Sequence, residues 1–302
     1  MKGTCDSCVS VSAVFAFLGN DVRLAVLESL YDRTVDAGPM TESATYSAIR
    51  EDAGVADSGR FSYHLDKLTG RFVTKTTNGY RLREPGREVV KLKRTGILTE
   101  DPAIEPRPVD AECYQCGSTV RAGYEHGHLM AVCPDCPGLF SRDLVPSGTL
   151  AAIAYPPSGV ESVETIDVAF ERAHGRVERL LSMMDDGFCP RCGDDVTVTL
   201  DPCRDHASPA DGICDACGLS HPAFVTFSCD TCGQPRVTHP LHAAADRPPV
   251  AKRLDERGVD GGWDQFAELM RWSTTVRDDE VVFTPPDGER ITVRARSGLV
   301  VQ

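Results

Sequence analysis

The cysteines are the residues of this chain whose type and spacing most clearly predict chemistry. Of 13 cysteines in 302 residues, twelve form C-x-x-C pairs, and the remaining one, Cys203, has His206 three positions later. A C-x-x-C turn presents two thiolates to one tetrahedral ion, and two such turns complete a closed structural zinc site. Glycine follows the second cysteine of four pairs, where a tight turn needs a residue without a side chain; these glycines are Gly117, Gly193, Gly218 and Gly233.

The first predicted site is a zinc ribbon. Its four ligands are Cys113, Cys116, Cys133 and Cys136. Between the two pairs, residues 119–122 and 129–132 are predicted as strands that turn at His126-Gly127-His128. His126 and His128 are then expected to be turn residues at the tip of the hairpin rather than metal ligands.

The second predicted cluster has enough ligands for two ions, and its pairing can be sequential or nested. Its ligands are Cys189, Cys192, Cys203, His206, Cys214, Cys217, Cys229 and Cys232. Residues 196–200 and 224–227 are both predicted as extended strands without a turn, and five extended residues span roughly 16 Å. The nested pairing is therefore favoured, with Cys189, Cys192, Cys229 and Cys232 at one end and Cys203, His206, Cys214 and Cys217 at the other. Sequential pairing stays open at this stage.

Three structural Zn²⁺ ions are the cofactors expected from these sites, and their ligand number argues against catalysis. A catalytic zinc keeps one position open for water, and four protein ligands leave none. The chain also lacks the His-Glu-x-x-His pattern and the zinc-deaminase pattern. The expectation is that the protein is not an enzyme. Thiol redox chemistry is the rival interpretation of C-x-x-C pairs, and their arrangement in fours favours structural sites.

Cys5 and Cys8 form a spare pair with no second pair to complete a site. This pair is interpreted as part of a terminal tail. The alternative is a thiol- or metal-responsive sensor site, formed by meeting its mate across a dimer.

The elements before the cysteine array predict a helix-turn-helix followed by a hairpin. One helix is expected over residues 45–53, and a second over residues 58–69 with Ser58 as its N-cap. Three apolar residues of the second helix recur at spacings of three and four, so they face inward; they are Phe61, Leu65 and Leu68. Asn78–Gly79 is a strong hairpin signal between two short strands. This order is typical of a winged helix-turn-helix.

The charge distribution supports the same interpretation. Residues 41–94 carry 11 Lys and Arg against 7 Asp and Glu, a net charge of +4, whereas the whole chain has a net charge of −13. A positive region in an acidic chain is expected of a surface that meets phosphate. The alternative is a protein-interaction module of the same shape. The acidic excess, with 26 Arg and 6 Lys, fits a protein kept soluble in concentrated salt.

A family resemblance rests on four runs of sequence in this region, which are 18–27 (LGNDVRLAVL), 57–68 (DSGRFSYHLDKL), 70–73 (GRFV) and Gly79-Tyr80. With these runs, residues 10–98 resemble the winged-helix domain of the ArsR-like regulators of halophilic archaea. The resemblance implies sequence-specific binding of double-stranded DNA, usually as a dimer, with residues 58–67 in the major groove. Many ArsR relatives sense metals through a cysteine motif on the preceding helix. Residues 46–53 contain no cysteine, so metal sensing there is not expected.

Ten residues are the candidates for contact with DNA. Those on the second helix are expected near base edges or adjacent phosphates: Ser58, Gly59, Arg60, Ser62, Tyr63 and Lys67. Those in the hairpin region are expected at the DNA backbone: Arg71, Lys75, Asn78 and Arg81.

The whole chain is predicted to be α+β and multidomain. The expected order is a winged helix-turn-helix (10–98), a proline-rich linker (99–110), a zinc ribbon (111–154), an amphipathic helix (160–186), a double zinc-ribbon region (187–238) and a small α+β C-terminal region (239–302). The chain has no apolar run of about 18 residues, so no membrane span is expected. Its start lacks the apolar core of a signal peptide, which favours the cytoplasm.

The expected partners are double-stranded DNA and a second copy of the chain. A homodimer is predicted because the apolar residues at the end of the N-terminal domain exceed what that small domain must bury; they are Val89, Val90, Leu92 and Ile97. The predicted function is that of a DNA-binding transcriptional regulator with structural zinc sites. The alternative from another class is a zinc-ribbon interaction scaffold that docks on a protein of the transcription machinery.

Overall fold

The structure is a computed structural model, and it divides the chain into two compact units. Unit 1 is Met1–Glu100 and unit 2 is Asp101–Gln302. The residues described are 10–37, 43–140, 145–207, 212–277, 280–286, 288–295 and 298–302. Both units mix helices with small antiparallel sheets, so the fold is α+β and multidomain. Cys5 and Cys8 lie outside the described residues, and no helix of the described part is long and apolar enough to cross a membrane.

Unit 1 contains five helices and one hairpin in its described residues. In chain order they are α1 (Val11–Leu18), α2 (Asp21–Ala37), α3 (Tyr46–Asp52), α4 (Ser58–Leu68), β1 (Val73–Thr76), β2 (Gly79–Leu82) and α5 (Glu84–Arg94). The helices α3 and α4 and the hairpin lie close to their predicted bounds because their signals are local: the apolar spacing, the caps and the Asn-Gly turn.

The start of α4 differs from the prediction by one residue. Asp57 is the N-cap, and its Oδ1 accepts hydrogen bonds from the amides of Gly59 (2.8 Å) and Arg60 (3.1 Å). Ser58 is the first residue of the helix instead. The carboxylate satisfies two amides that have no partner within the helix and complements the positive helix terminus. The amides of Arg60 and Gly59 accordingly lower the pKa of Asp57.

The core of unit 1 joins α2, α4, the hairpin and α5. Val26 and Leu30 of α2 are buried with Phe61 and Leu65 of α4 in one apolar cluster.

The four apolar residues that the sequence assigns to a dimer surface are only in part at the surface of unit 1. Val90 is 2% exposed and belongs to this core, and Val89 packs against it, because α5 lies on α2. Ile97, which follows α5, is 55% exposed.

The hairpin depends on Gly79. The segment before α3 approaches the turn, so that Ala44 and Tyr80 exchange two backbone hydrogen bonds of 2.9 Å. Gly79 has φ +138°, and a Cβ there would lie 2.1 Å from the carbonyl oxygen of Ala44. Only glycine fits this position, for reasons of both conformation and space.

Unit 2 contains three antiparallel sheets in its described residues. Its strands are β3 (Ile104–Glu112), β4 (Thr119–Glu125), β5 (His128–Val132), β6 (Thr149–Ala154), β7 (Thr197–Pro202), β8 (Ala223–Ser228), β9 (Pro235–Thr238), β10 (Ser273–Arg277), β11 (Glu280–Thr284), β12 (Ile291–Ala295) and β13 (Leu299–Val301). The sheet orders are β3-β4-β5-β6, β7-β8-β9 and β10-β11-β12-β13. Its helices are α6 (Pro157–Glu161), α7 (Ile166–Asp185), α8 (Pro240–Ala243), α9 (Pro248–Glu256) and α10 (Gly262–Met270).

The predicted linker is in part a strand. Residues 104–112 form β3 at the edge of the first sheet, although the sequence predicts a spacer over residues 99–110. The prolines Pro106 and Pro108 are tolerated because an edge strand needs no donor on its outer side. The pairing with β4 is also irregular, with register shifts on both sides of Arg107–Pro108.

The segments that the sequence predicts as successive modules of unit 2 share two hydrophobic cores. The first includes Tyr124 of the first sheet, Phe170 of α7 and Trp263 of α10. The second combines Met184 of α7, Phe227 of β8 and other buried residues with Trp272 and the last sheet. The long helix α7 therefore contributes to both cores, as its predicted apolar stripe allows. Trp263 and Phe266 belong to the first core and Trp272 to the second, and they are 6%, 6% and 1% exposed.

Candidate metal centres and nucleic-acid interface

Three groups of four side chains in unit 2 have the composition and spacing of metal sites. Site 1 is Cys113, Cys116, Cys133 and Cys136; site 2 is Cys189, Cys192, Cys229 and Cys232; site 3 is Cys203, His206, Cys214 and Cys217. Within each group, one candidate ligand atom from every residue lies within 4.8 Å of the others. The second cluster is therefore nested, as the two extended strands favour, and the sequential pairing does not occur.

Local backbone geometry explains why each C-x-x-C turn can present two sulfurs. In the four C-x-x-C turns that are followed by glycine, the glycine amide donates to the carbonyl of the first cysteine, for example Gly117 to Cys113 at 2.9 Å and Gly193 to Cys189 at 2.8 Å. The turn Cys133–Cys136 is followed by Pro137 instead. The four predicted glycines have φ between +66° and +79°, a conformation that favours glycine. We call each turn that supplies two ligands to one site, including Cys133–Cys136 and Cys203–His206, a knuckle.

The distances between sulfurs fit a tetrahedral ion and exclude disulfides. Cys113 Sγ lies 3.7 Å from Cys136 Sγ, and Cys116 Sγ lies 3.4 Å from Cys133 Sγ. A tetrahedron with Zn–S bonds of about 2.3 Å has edges of about 3.8 Å, whereas a disulfide S–S bond is about 2.05 Å. At site 2 the two cross-knuckle sulfur distances are both 3.5 Å.

Site 3 has a mixed ligand set of three sulfurs and one imidazole. Cys217 Sγ lies 3.5 Å from His206 Nδ1, which is of the same order as the distances at the other sites. Burial lowers the pKa of His206, and this favours the neutral imidazole that a metal requires. Cys203 and His206 follow directly after β7. The amide of Cys203 donates to the carbonyl of Pro222 at 2.6 Å and so continues the pairing of the strands.

Hydrogen bonds favour the thiolate at one cysteine in each of two sites. The hydroxyl and amide of Ser118 lower the pKa of Cys116 to about 7, and the amide of Ala207 lowers the pKa of Cys214 to about 7. Burial instead raises the pKa of Cys133 and raises that of Cys217 to about 11. Thiols this close repel one another once ionised, and a divalent cation among them removes that penalty. The donor sets therefore fit a thiophilic ion such as Zn²⁺.

Sites 2 and 3 lie at opposite ends of one strand pair. Strands β7 and β8 pair from Thr197↔Ser228 at the site 2 end to Pro202↔Ala223 at the site 3 end. Six extended residues separate the two ends by about 20 Å. No ligand can be shared between these two sites.

The histidines of the first hairpin are not ligands. The side chains of His126 and His128 are exposed, and His126 has φ +49° at the turn. Sequence reasoning missed other histidines that are buried in unit 2. His174, His239 and His242 are 4%, 1% and 6% exposed. They were missed because nothing in their spacing along the sequence distinguishes them from surface histidines.

The polar face of α4 is the second candidate site. Of the ten residues predicted to contact DNA, all are exposed except Ser62, which is half-buried. Arg60, Tyr63 and Lys67 follow one another at spacings of three and four and so share one face of the helix. The Lys67 ammonium lies 5.6 Å from the centroid of the Tyr63 ring.

The hairpin begins directly at the end of α4. The amide of Phe72 donates to the carbonyl of Leu68 (3.0 Å), and the amide of Gly70 donates to the carbonyl of Val73 (2.8 Å). These bonds fix the start of β1 at the C-terminal end of α4. Lys75 and Arg81 are exposed on the two strands, and the Lys75 ammonium lies 6.0 Å from the centroid of the Tyr80 ring.

His64 points away from this face into unit 1. It is 8% exposed. Burial is the main cause that lowers the pKa of His64, and the nearby positive charges of Arg23 and Arg60 lower it further. A neutral His64 therefore adds no charge to the surface at neutral pH.

Comparison with known families assigns most of the chain. Residues 11–92 match the family described as a domain of unknown function, DUF7347. Residues 110–299 match a second domain of unknown function, DUF7351, over more than half of the chain. The chain belongs to the DUF7351 family. All three cysteine sites lie within the DUF7351 region, whereas α4 and the hairpin lie within the DUF7347 match. None of the curated proteins and none of the solved structures compared with the chain matches it.

Proposed function

We propose that this DUF7351 protein is a DNA-binding transcriptional regulator in which unit 1 is a winged helix-turn-helix and α4 is its recognition helix. The observation that carries the proposal is the exposed face of Arg60, Tyr63 and Lys67 on α4, followed by a hairpin that is hydrogen-bonded to the end of α4 and carries the exposed Lys75 and Arg81. An α-helix fits the major groove, and a flanking basic hairpin fits the adjacent backbone.

The electrostatics of the chain support this assignment. Residues 41–94 have a net charge of +4, whereas the chain has −13. The acidic remainder would repel phosphate, so only the positive region suits a nucleic-acid partner. The resemblance of residues 10–98 to ArsR-like regulators points to the same function. Because α3 contains no cysteine, metal sensing on that helix is not part of the proposal.

For the metals we propose a structural role as Zn²⁺ and no catalytic one. Each site supplies four protein ligands, so that a bound ion would have no open position for water or substrate. Zinc would hold the knuckles of unit 2 in place, and its binding energy would contribute to folding.

A second copy of the chain is the proposed protein partner of unit 1. Seven of the eight residues of α1 are apolar, yet none of the eight is buried. Val11 and Phe15 are one helical turn apart and are 71% and 61% exposed. An apolar face of this kind is typical of an interface, and a two-fold dimer would place two copies of α4 about one DNA turn apart.

The salt dependence of binding tests the proposed DNA surface. The full chain, loaded with zinc, is titrated with a 30-base-pair duplex of random sequence at several salt concentrations. Because each phosphate contact releases counterions, Lys75→Ala should reduce the slope of log K against log salt by about 1. Lys252→Ala is the matched control, since this lysine of α9 in unit 2 is also exposed, with 74% of its side chain accessible. Equal slopes for the wild type and Lys75→Ala would show that Lys75 does not contact a DNA phosphate, and would contradict the placement of the hairpin in the interface.

A further inference from the structure

The segments that follow the second knuckles of sites 1 and 3 pair with each other. The amide of Ser220 donates to the carbonyl of Leu139 at 2.8 Å, and Phe140 and Leu219 form an antiparallel bridge. Leu139 comes three residues after Cys136, the last ligand of site 1, and Ser220 comes three residues after Cys217, the last ligand of site 3. The backbone that leaves one site is therefore paired with the backbone that leaves the other.

The side chain of Gln115 adds a second connection. Gln115 lies between Cys113 and Cys116 in the first knuckle of site 1. Its Nε2 donates to the carbonyl of Gly138 (2.9 Å) and to Ser220 Oγ (3.0 Å). One amide group thus joins both knuckles of site 1 to the segment that follows site 3.

Apolar packing surrounds these hydrogen bonds. Leu139 is 5% exposed, and Phe140 and Leu219 pack against the same core that contains Cys113 and Cys133. A displacement of either knuckle would therefore disturb buried contacts of the other.

Site 2 makes contacts of a different kind. The hydroxyl of Thr231 in the second knuckle donates to the carboxylate of Asp194, which follows the first knuckle, so this bond joins the two knuckles of site 2 to each other. The bridge between Phe188 and Asp195 closes the first knuckle on itself. The site is linked to site 3 through the length of β7 and β8, about 20 Å away.

We infer that sites 1 and 3 bind metal as a coupled pair, with Gln115 as a positioning residue, and that site 2 binds its ion independently. An ion at either site orders a knuckle that presents hydrogen-bond partners to the other site. Coupling of binding sites is reciprocal and typically changes affinity 5- to 150-fold. The inference does not depend on DNA binding by unit 1.

Ligand variants of the full chain measure this coupling. Cys203→Ser removes site 3, and Cys192→Ser removes site 2. Zinc is withdrawn with a competing chelator, native mass spectrometry counts the ions, and alkylation of Cys116 and Cys133 reports the occupancy of site 1. We expect Cys203→Ser to weaken zinc binding at site 1 by 5- to 150-fold and Cys192→Ser to leave it unchanged. An equal effect of the two variants, which general unfolding of unit 2 would also produce, would overturn the inference.

Gln115→Ala tests the connection without removing a ligand. In the Gln115→Ala variant, the factor by which Cys203→Ser weakens zinc binding at site 1 should be smaller by about fivefold, the equivalent of one net hydrogen bond. Arg191→Ala is the matched control because Arg191 occupies the same position in the first knuckle of site 2 and is exposed. It should leave the effect of Cys203→Ser intact. An undiminished effect in Gln115→Ala would show that Gln115 does not couple the sites.

Discussion

The imidazole rings of His221 and His239 lie almost perpendicular to each other, with their centroids 4.6 Å apart. His239 also contacts Phe283 of β11, at 5.1 Å between ring centroids. Neither ring nitrogen of His239 has a hydrogen-bond partner among the described residues. Burial, together with the charges that His221 and His242 would carry, lowers the pKa of His239 well below its usual value. The core of unit 2 therefore requires neutral histidines.

Acid should destabilise unit 2 from about pH 6.5 downward. Burial lowers the pKa of His174 to about 4 and that of His242 to about 3. These histidines take up protons near pH 6.5 in the unfolded chain but not in the folded one. Their full contribution to the free energy of unfolding is therefore present above pH 6.5, and it is lost as the pH decreases toward the pKa values of the folded state. A change from pH 7 to pH 5 should cost about 2 kcal/mol per histidine.

His239→Phe separates this effect from the protonation of metal ligands. Phenylalanine fills a similar volume and removes two buried nitrogens that have no partner, so the variant should lose less stability than the wild type between pH 7 and pH 5. Denaturant unfolding at each pH, followed by tryptophan fluorescence, is the measurement, since both tryptophans of the chain lie in unit 2. His126→Phe, at an exposed histidine, is the control. Identical pH dependence in wild type and His239→Phe would contradict the explanation.

Gly79→Ala should destabilise unit 1 by at least about 2 kcal/mol, because alanine disfavours φ +138° and its Cβ would meet the carbonyl of Ala44. Gly70→Ala is the matched control. Gly70 also has a positive φ, +95°, but its Cβ would have no neighbour within 4 Å, so the loss should be nearer about 1 kcal/mol. Thermal unfolding followed by circular dichroism should show the difference, while the tryptophan signal of unit 2 stays unchanged. Equal losses in the two variants would show that the contact with Ala44 is unimportant.

Removal of metal should unfold unit 2 and spare unit 1. A structural zinc contributes on the order of 10–16 kcal/mol to the folding of a small domain, whereas unit 1 has its own core without a ligand from these sites. Elemental analysis of the Cys5→Ser/Cys8→Ser variant should give three zinc ions per chain. Hydrogen exchange after chelation should then rise over residues 110–299 and remain slow in α2 and α4. Unchanged exchange in the cysteine region would contradict the structural role.

Arg60→Ala should relax the choice of bases rather than weaken binding uniformly. If Arg60 contacts guanine through two hydrogen bonds, its loss costs about 1–3 kcal/mol of discrimination at that position. Lys75→Ala, which removes a backbone contact, should instead weaken all duplexes alike. Binding to a set of single-base variants of a selected duplex distinguishes these outcomes. A uniform loss for Arg60→Ala would place Arg60 at a phosphate.

The elements that were predictable from the sequence are those with local signals. The helix α7 and the strands β7 and β8 follow from apolar spacing, and the nested grouping of sites 2 and 3 follows from the length of those two strands. The strand β3 was missed because its prolines resemble those of a spacer, and they are acceptable only at a sheet edge that local sequence does not reveal.

Long-range packing accounts for the rest. The indole of Trp263 donates to the carbonyl of Glu112 at 3.0 Å across 151 positions of sequence. Gln115 similarly reaches Ser220 across 105 positions. No spacing rule connects such residues, so the merging of the predicted modules into one unit, and the contact between sites 1 and 3, become visible only in three dimensions.

Selection of DNA by the full chain tests the central claim most directly. Zinc-loaded protein is incubated at high salt with a library of random duplexes, and bound duplexes are sequenced over successive rounds. The proposal predicts enrichment of one motif that competes effectively against random duplex, and loss of that enrichment in the Arg60→Ala/Lys67→Ala variant. No preference for any duplex over random competitor, by protein that retains its zinc and its fold, would contradict it.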